Sequence, residues 1–91
     1  MSYATAARAA LVRELGTEYA CEPELVDLYT LLVLVKGEEV TLKDVHDAWS
    51  IWRLRTQPDH PSIVPFEELE KSSQDYDLPY AQAIRRAARS V

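Results

Sequence analysis

A single cysteine, Cys21, stands among 91 residues, so no disulfide can form within the chain and a reducing compartment is the simpler setting. Cys21 is read as a small, partly buried residue. Two glycines are too few for a phosphate-cradling loop or a glycine-flanked nucleophile turn. The longest unbroken apolar run, Leu31 to Val35, falls far short of the roughly 20 residues that cross a bilayer, so a membrane span is not expected. The opening MSYATAARAALVREL carries arginines where a secretory leader needs a continuous apolar core, and the expected location is the cytoplasm. Positive charge is also scarce: 15 acidic against 10 basic side chains leave a formal net charge of -5, too little positive field to collect a phosphate backbone. Nucleic-acid binding is therefore not expected. Two histidines, one cysteine and scattered carboxylates give no metal-ligand spacing, and no cofactor is implied.

What is present suffices for one folded domain. Apolar residues make up 47% of the chain and charged residues 27%, well away from the composition of disordered segments. Residues 1–91 leave room for a single core, and stability is marginal enough at this size for self-association or a protein partner to be a natural supplement.

The punctuation of the chain predicts an all-α fold, a small bundle of about four helices with an ordered proline-rich loop. A first helix runs from Ala4 to Leu15, with Ala7, Ala10, Leu11 and Leu15 on one face and Gly16 as its stop. Pro23 suits the first position of a second helix that Gly37 should end. Between them, Leu25 to Val35 shows no polar stripe in its last two turns, so this helix is expected at the centre; Leu31 to Val35 alone would also suit a buried strand. Thr41 with Asp44 forms a variant capping box for a third helix reaching about Arg55, whose buried stripe should be Leu42, Val45, Trp49 and Trp52. The segment QPDHPSIVP holds three prolines and cannot be regular helix; Ile63, Val64 and Phe66 should anchor it across the bundle. One helical turn over Phe66 to Leu69 and another near Ser72 or Ser73 precede a last helix. Asp77 is expected to cap that helix, with Pro79 in its first turn and Tyr80, Ala83, Ile84 and Ala87 as its apolar face. The acidic run Glu67, Glu68, Glu70, Asp75 and Asp77 reads first as a solvated face and second as a surface that meets a basic partner or imitates nucleic acid. Arg85, Arg86 and Arg89 suit a helix C-terminus.

No catalytic constellation emerges. His46 and Asp47 are helix neighbours that cannot face one another, Glu67 and Glu68 diverge in the same way, and no enzyme activity is expected. The concentrated feature is an aromatic and histidine group around one arginine: His46, Trp49, Trp52, Arg53, His60, Phe66 and Tyr76. At helical spacing such aromatics are first a core with polar tips. They also suit a shelf for a planar or anionic ligand, with Arg53 and His60 for anionic groups and Trp49 and Tyr76 for stacking.

The stretch DVHDAWSIWRLR followed by DHPSIVPFEELEKSSQDYD, within residues 42–77, resembles the ryanodine-receptor repeat domain. His46, Trp49 and Arg53 on the helix, and then His60, Pro61, Val64, Pro65, Phe66, Leu69 and Asp77, carry the resemblance. The Gly-Trp-x-x-Gly hairpin of that family is replaced by LRTQPD after Arg53. The resemblance implies an α-rich binding module with protein contacts or adenine-nucleotide-like ligands in a cleft between paired copies. The whole chain also resembles uncharacterised small proteins of actinobacteria and their phages that share LVLVKGE, DVHDAW and HPS.VPF, which implies residence in the bacterial cytoplasm, the host's if viral. The leading expectation is a non-enzymatic interaction or regulatory module acting on a protein, with a nucleotide or nucleotide-derived small-molecule binder as the alternative. His46, Trp49, Arg53, His60 and Tyr76 are the candidate ligand residues.

Overall fold

The computed structural model describes residues 2–20 and 22–91, so the expectation for Cys21 lies outside the described residues. Five α-helices follow one another: α1 (Tyr3–Tyr19), α2 (Pro23–Val35), α3 (Leu42–Leu54), the single-turn α4 (Lys71–Asp75) and α5 (Leu78–Ser90). Two 3-10 turns, Gly37–Glu39 and Phe66–Glu68, complete the regular structure, and no strand occurs among the described residues. The chain is all-α, and Leu31 to Val35 is helical.

Local chemistry accounts for most boundaries. Ser2 opens α1 by accepting the Thr5 amide proton. Gly16 breaks the helical path at φ 73, ψ 176, a conformation open essentially to glycine, after which the helix resumes to Tyr19. Gly37, at φ 59, turns the chain out of α2. At α3 the capping box is complete, with the Thr41 hydroxyl accepting from the Asp44 amide at 3.1 Å and the Asp44 carboxylate accepting from the Thr41 amide at 2.9 Å.

α5 packs along α1, α2 packs against α1, α3 and α5, and the Gly37–Glu39 turn rests on α5. Small residues make the α1–α5 contact close: Ala7 and Ala10 are buried on one helix, Ala81, Ala83 and Ala87 on the other, with Leu11 and Ile84 filling the space between turns. Each fully buried Leu or Ile side chain stabilises the fold by about 1.5–3 kcal/mol. Arg85 donates twice to the Val40 carbonyl, at 2.7 and 3.2 Å, and so fixes the α2–α3 connection to α5. Arg86 pairs with Glu14 and Arg89 with Glu38, so the basic end of the chain is engaged within the fold as well as placed at a helix terminus.

Three expectations need correction. α2 is not enclosed: Leu25, Val26, Tyr29, Thr30 and Val33 are buried, while Leu31, Leu34 and Val35 are exposed. A bundle of this size covers only part of a helix's circumference, and the remainder stays in water whatever its composition. In α3, Val45 and His46 are buried, whereas Leu42, Trp49 and Trp52 are only half-buried, because the proline-rich segment covers the helix incompletely. Asp77 precedes α5 but does not cap it. Tyr76 and Asp77 donate their amides to Ser73 and Gln74, so the chain arrives from α4 already helical, at φ -81, ψ -12, and the Asp77 side chain bonds to no amide of the first turn.

Candidate functional site

The open side of α3 forms one wall of a cleft of about 660 Å³, within the usual range for small-molecule sites. His46, Trp49, Trp52 and Arg53 come from α3, and His60 and Ser62 from the proline-rich loop. The other side is supplied by Tyr19, Leu25 and Tyr29, by Tyr76 and Asp77 after α4, and by Tyr80 in α5. All five residues expected from the sequence, His46, Trp49, Arg53, His60 and Tyr76, thus line one cavity.

The loop is held in register by the α3 histidine. His46 donates its Nε2 proton to the Val64 carbonyl at 2.8 Å, and Phe66 packs against the same imidazole with ring centroids 6.1 Å apart. Gln74 donates to the carbonyls of Phe66 and Leu69, tying the 3-10 turn to α4. Ile63, Val64 and Phe66 are half-buried, as anchors across the bundle should be. Within the loop, the Ser62 amide donates to His60 Nδ1 at 3.0 Å, which leaves the Nε2 proton of the neutral ring as a donor. Ser50 Oγ lies 3.4 Å from His46 Nε2, but that nitrogen carries the proton given to Val64 and does not serve as a base for the hydroxyl.

Aromatic contacts order the cavity. His46 stacks on Trp49 at 5.7 Å, and His60 meets Trp49 edge-on at 5.1 Å. The Arg53 guanidinium lies 4.5 Å from the Trp52 ring centroid and 5.9 Å from that of Trp49. Across the cleft, Tyr80 packs against Tyr19 at 5.4 Å and Tyr29 at 5.3 Å. Tyr76 is 76% exposed at the rim, free to cover a bound ring.

Two polar groups in this setting have no counterpart. The Arg53 side chain forms no hydrogen bond or ion pair among the described residues, and its Nε is buried without an acceptor. It forms no ion pair with Asp77 across the cleft. Asp77 is buried, and desolvation pushes its carboxyl up to about 6, an effect that nearby His46 opposes. Burial likewise raises the Tyr29 hydroxyl, reinforced by Tyr80 and Asp77. Tyr19, Tyr29 and Tyr80 carry no signal in the sequence that marks them as cleft residues, and Asp77 reads there as a helix cap. A carboxylate ahead of a proline-containing first turn looks the same in sequence whether it caps or faces a cavity.

Among the described residues, no group of three His, Cys, Asp or Glu side chains is placed to hold a metal ion, and no helix is long and apolar enough to cross a membrane. The acidic run divides: Glu67, Glu68 and Glu70 are exposed, Asp75 pairs with Lys71, and Asp77 turns inward. No curated protein and no solved structure matches the chain. Residues 2–89 match the sequence family described as Domain of unknown function (DUF7701), and the chain belongs to that family.

Proposed function

We propose that this domain is a non-enzymatic binding module whose cleft takes a small, planar, anionic ligand. The observation that carries this reading is Arg53: a guanidinium over the Trp52 ring, lining an open cavity, with no acceptor for any of its nitrogens among the described residues. The Nε is enclosed and out of a ligand's reach, whereas the terminal Nη donors, equally without a protein partner, stay accessible to an oxyanion in the cleft. His60 Nε2 offers a second donor, and the prolines around it limit the freedom lost when a ligand orders the loop. The sequence resemblance to ryanodine-receptor repeats supports the same reading, with one difference: this cleft is built within a single chain. A nucleotide or nucleotide-derived signal is the first candidate ligand.

Amide-shift titration of adenosine and guanosine monophosphates into the isotope-labelled chain tests the proposal, wild type beside Arg53→Met. Saturable shifts on residues of the cleft that disappear in the folded variant are expected. Shifts absent at millimolar ligand, or unchanged by the substitution, would overturn it.

The interaction-module reading keeps one specific support. Leu31 is 53% and Val35 63% exposed on α2, and Tyr3, Leu34 and Val91 line a shallow depression at the same end of the fold. An apolar face of this kind suits a protein partner or a second copy. Sedimentation at increasing concentration, with Leu34→Glu as control, separates a self-associating chain from a monomer.

A further inference from the structure

Asp77 shares the cleft with Arg53 and is 9% exposed. Its carboxyl makes no hydrogen bond or ion pair among the described residues: it does not cap α5, and neither Arg53 nor His46 lies within ion-pair distance. Its oxygens, unlike Arg53 Nε, are not enclosed, so they are open to the cleft without a protein partner. At neutral pH a carboxyl held near 6 is mostly ionised, so Asp77 presents acceptor oxygens to the cleft. The cleft therefore contains a donor and an acceptor of opposite charge that do not satisfy one another. A ligand that occupies both must offer oxygen to Arg53 and N–H to Asp77.

Geometry narrows the N–H group further. Trp49, Trp52 and Tyr76 favour a planar body, and the two oxygens of a carboxylate are matched best by two parallel N–H donors on one edge. We propose that the cleft selects a planar nitrogen heterocycle that presents a ring N–H and an adjacent exocyclic amine to Asp77 and an acidic group to Arg53. The proposal rests on the ligand-binding reading above and adds Asp77 as the residue that sets specificity. Guanine-type and pterin-type rings share this donor edge. An adenine-type ring offers an acceptor at the corresponding ring nitrogen, which an ionised carboxylate repels.

Three probes separate these cases: guanosine monophosphate, pterin-6-carboxylate and adenosine monophosphate. Each is titrated at neutral pH into the labelled full chain, wild type and Asp77→Asn. One or both donor-edged probes should bind about tenfold or more tighter than adenosine monophosphate, the discrimination expected of a bidentate pair, and Asp77→Asn should erase the difference. Which of the two binds tells a nucleotide from a pterin. If Asp77→Asn does not fold, the carboxyl carbon resonance of Asp77 in the wild type replaces it, and binding must lower that group's titration midpoint. Adenosine monophosphate binding equally well through Arg53, or an Asp77→Asn variant with unchanged preference, overturns this inference and leaves the ligand-binding reading standing. No saturable shift from any of the three overturns both.

Discussion

His46 Nε2 and the Val64 carbonyl, 18 positions apart in sequence, are joined by a 2.8 Å hydrogen bond that holds the proline-rich loop against α3. This bond places His60 beside Trp49 and closes one wall of the cleft. Replacing His46 by Ala leaves the Val64 carbonyl without its donor and removes a stacked ring. Destabilisation of about 1–3 kcal/mol is expected in urea denaturation, with faster amide exchange over residues 58–66. An unchanged midpoint would show that the loop is held by its apolar anchors alone.

Arg53→Met keeps the apolar stem against Trp52 while removing the guanidinium. The loss of cation–π attraction, about 0.5–2 kcal/mol, opposes relief of the buried unmatched Nε, about 1–3 kcal/mol. Stability within roughly 1 kcal/mol of wild type is the expected net result. A loss of several kcal/mol in chemical denaturation would mean that the arginine serves the fold and not a ligand.

Asp77 gives stability a pH signature. Its folded value, about 6, lies above the ordinary 3.8, so the folded state binds the proton more tightly. The associated stability is fully present below about pH 4 and is lost as pH rises through about 6. Relative to Asp77→Asn, whose amide does not titrate, wild type should lose on the order of 2–3 kcal/mol across that window. A difference that stays flat from pH 4 to about 7 would contradict the buried, unmatched carboxyl.

Gly16→Ala isolates a backbone effect. No atom would crowd a Cβ there, yet φ 73 with ψ 176 is a region that side chains avoid. A cost of about 1–3 kcal/mol in thermal or denaturant unfolding is expected, without change in ligand response. A neutral substitution would mean that the α1 break relaxes freely.

Much of the fold was legible because its boundaries depend on local chemistry. Pro23 opens α2, Gly37 ends it, and Thr41 with Asp44 starts α3 through the capping box, each a signal confined to a few residues. The cleft was half legible. His46, Trp49 and Arg53 fall on one helix face at spacings of three and four, and His60 lies in a segment that its prolines keep out of regular helix and that folds into successive turns. Tyr29 and Tyr80 meet them only through the packing of α2 against α5, which no local pattern encodes. The exposed Leu31 and Val35 show the same limit from the other side, since hydrophobicity reports what a helix prefers and not how much of it neighbours can cover.

If Arg53 receives an anion as proposed, the Nε–Hε correlation of Arg53 in a side-chain NMR spectrum reads this directly. Titrated with guanosine monophosphate, the Hε resonance should shift and saturate together with the Trp49 indole signal, as the guanidinium gains an acceptor at its terminal nitrogens. An Hε resonance that stays in place at millimolar ligand, or moves without saturating, would contradict the account.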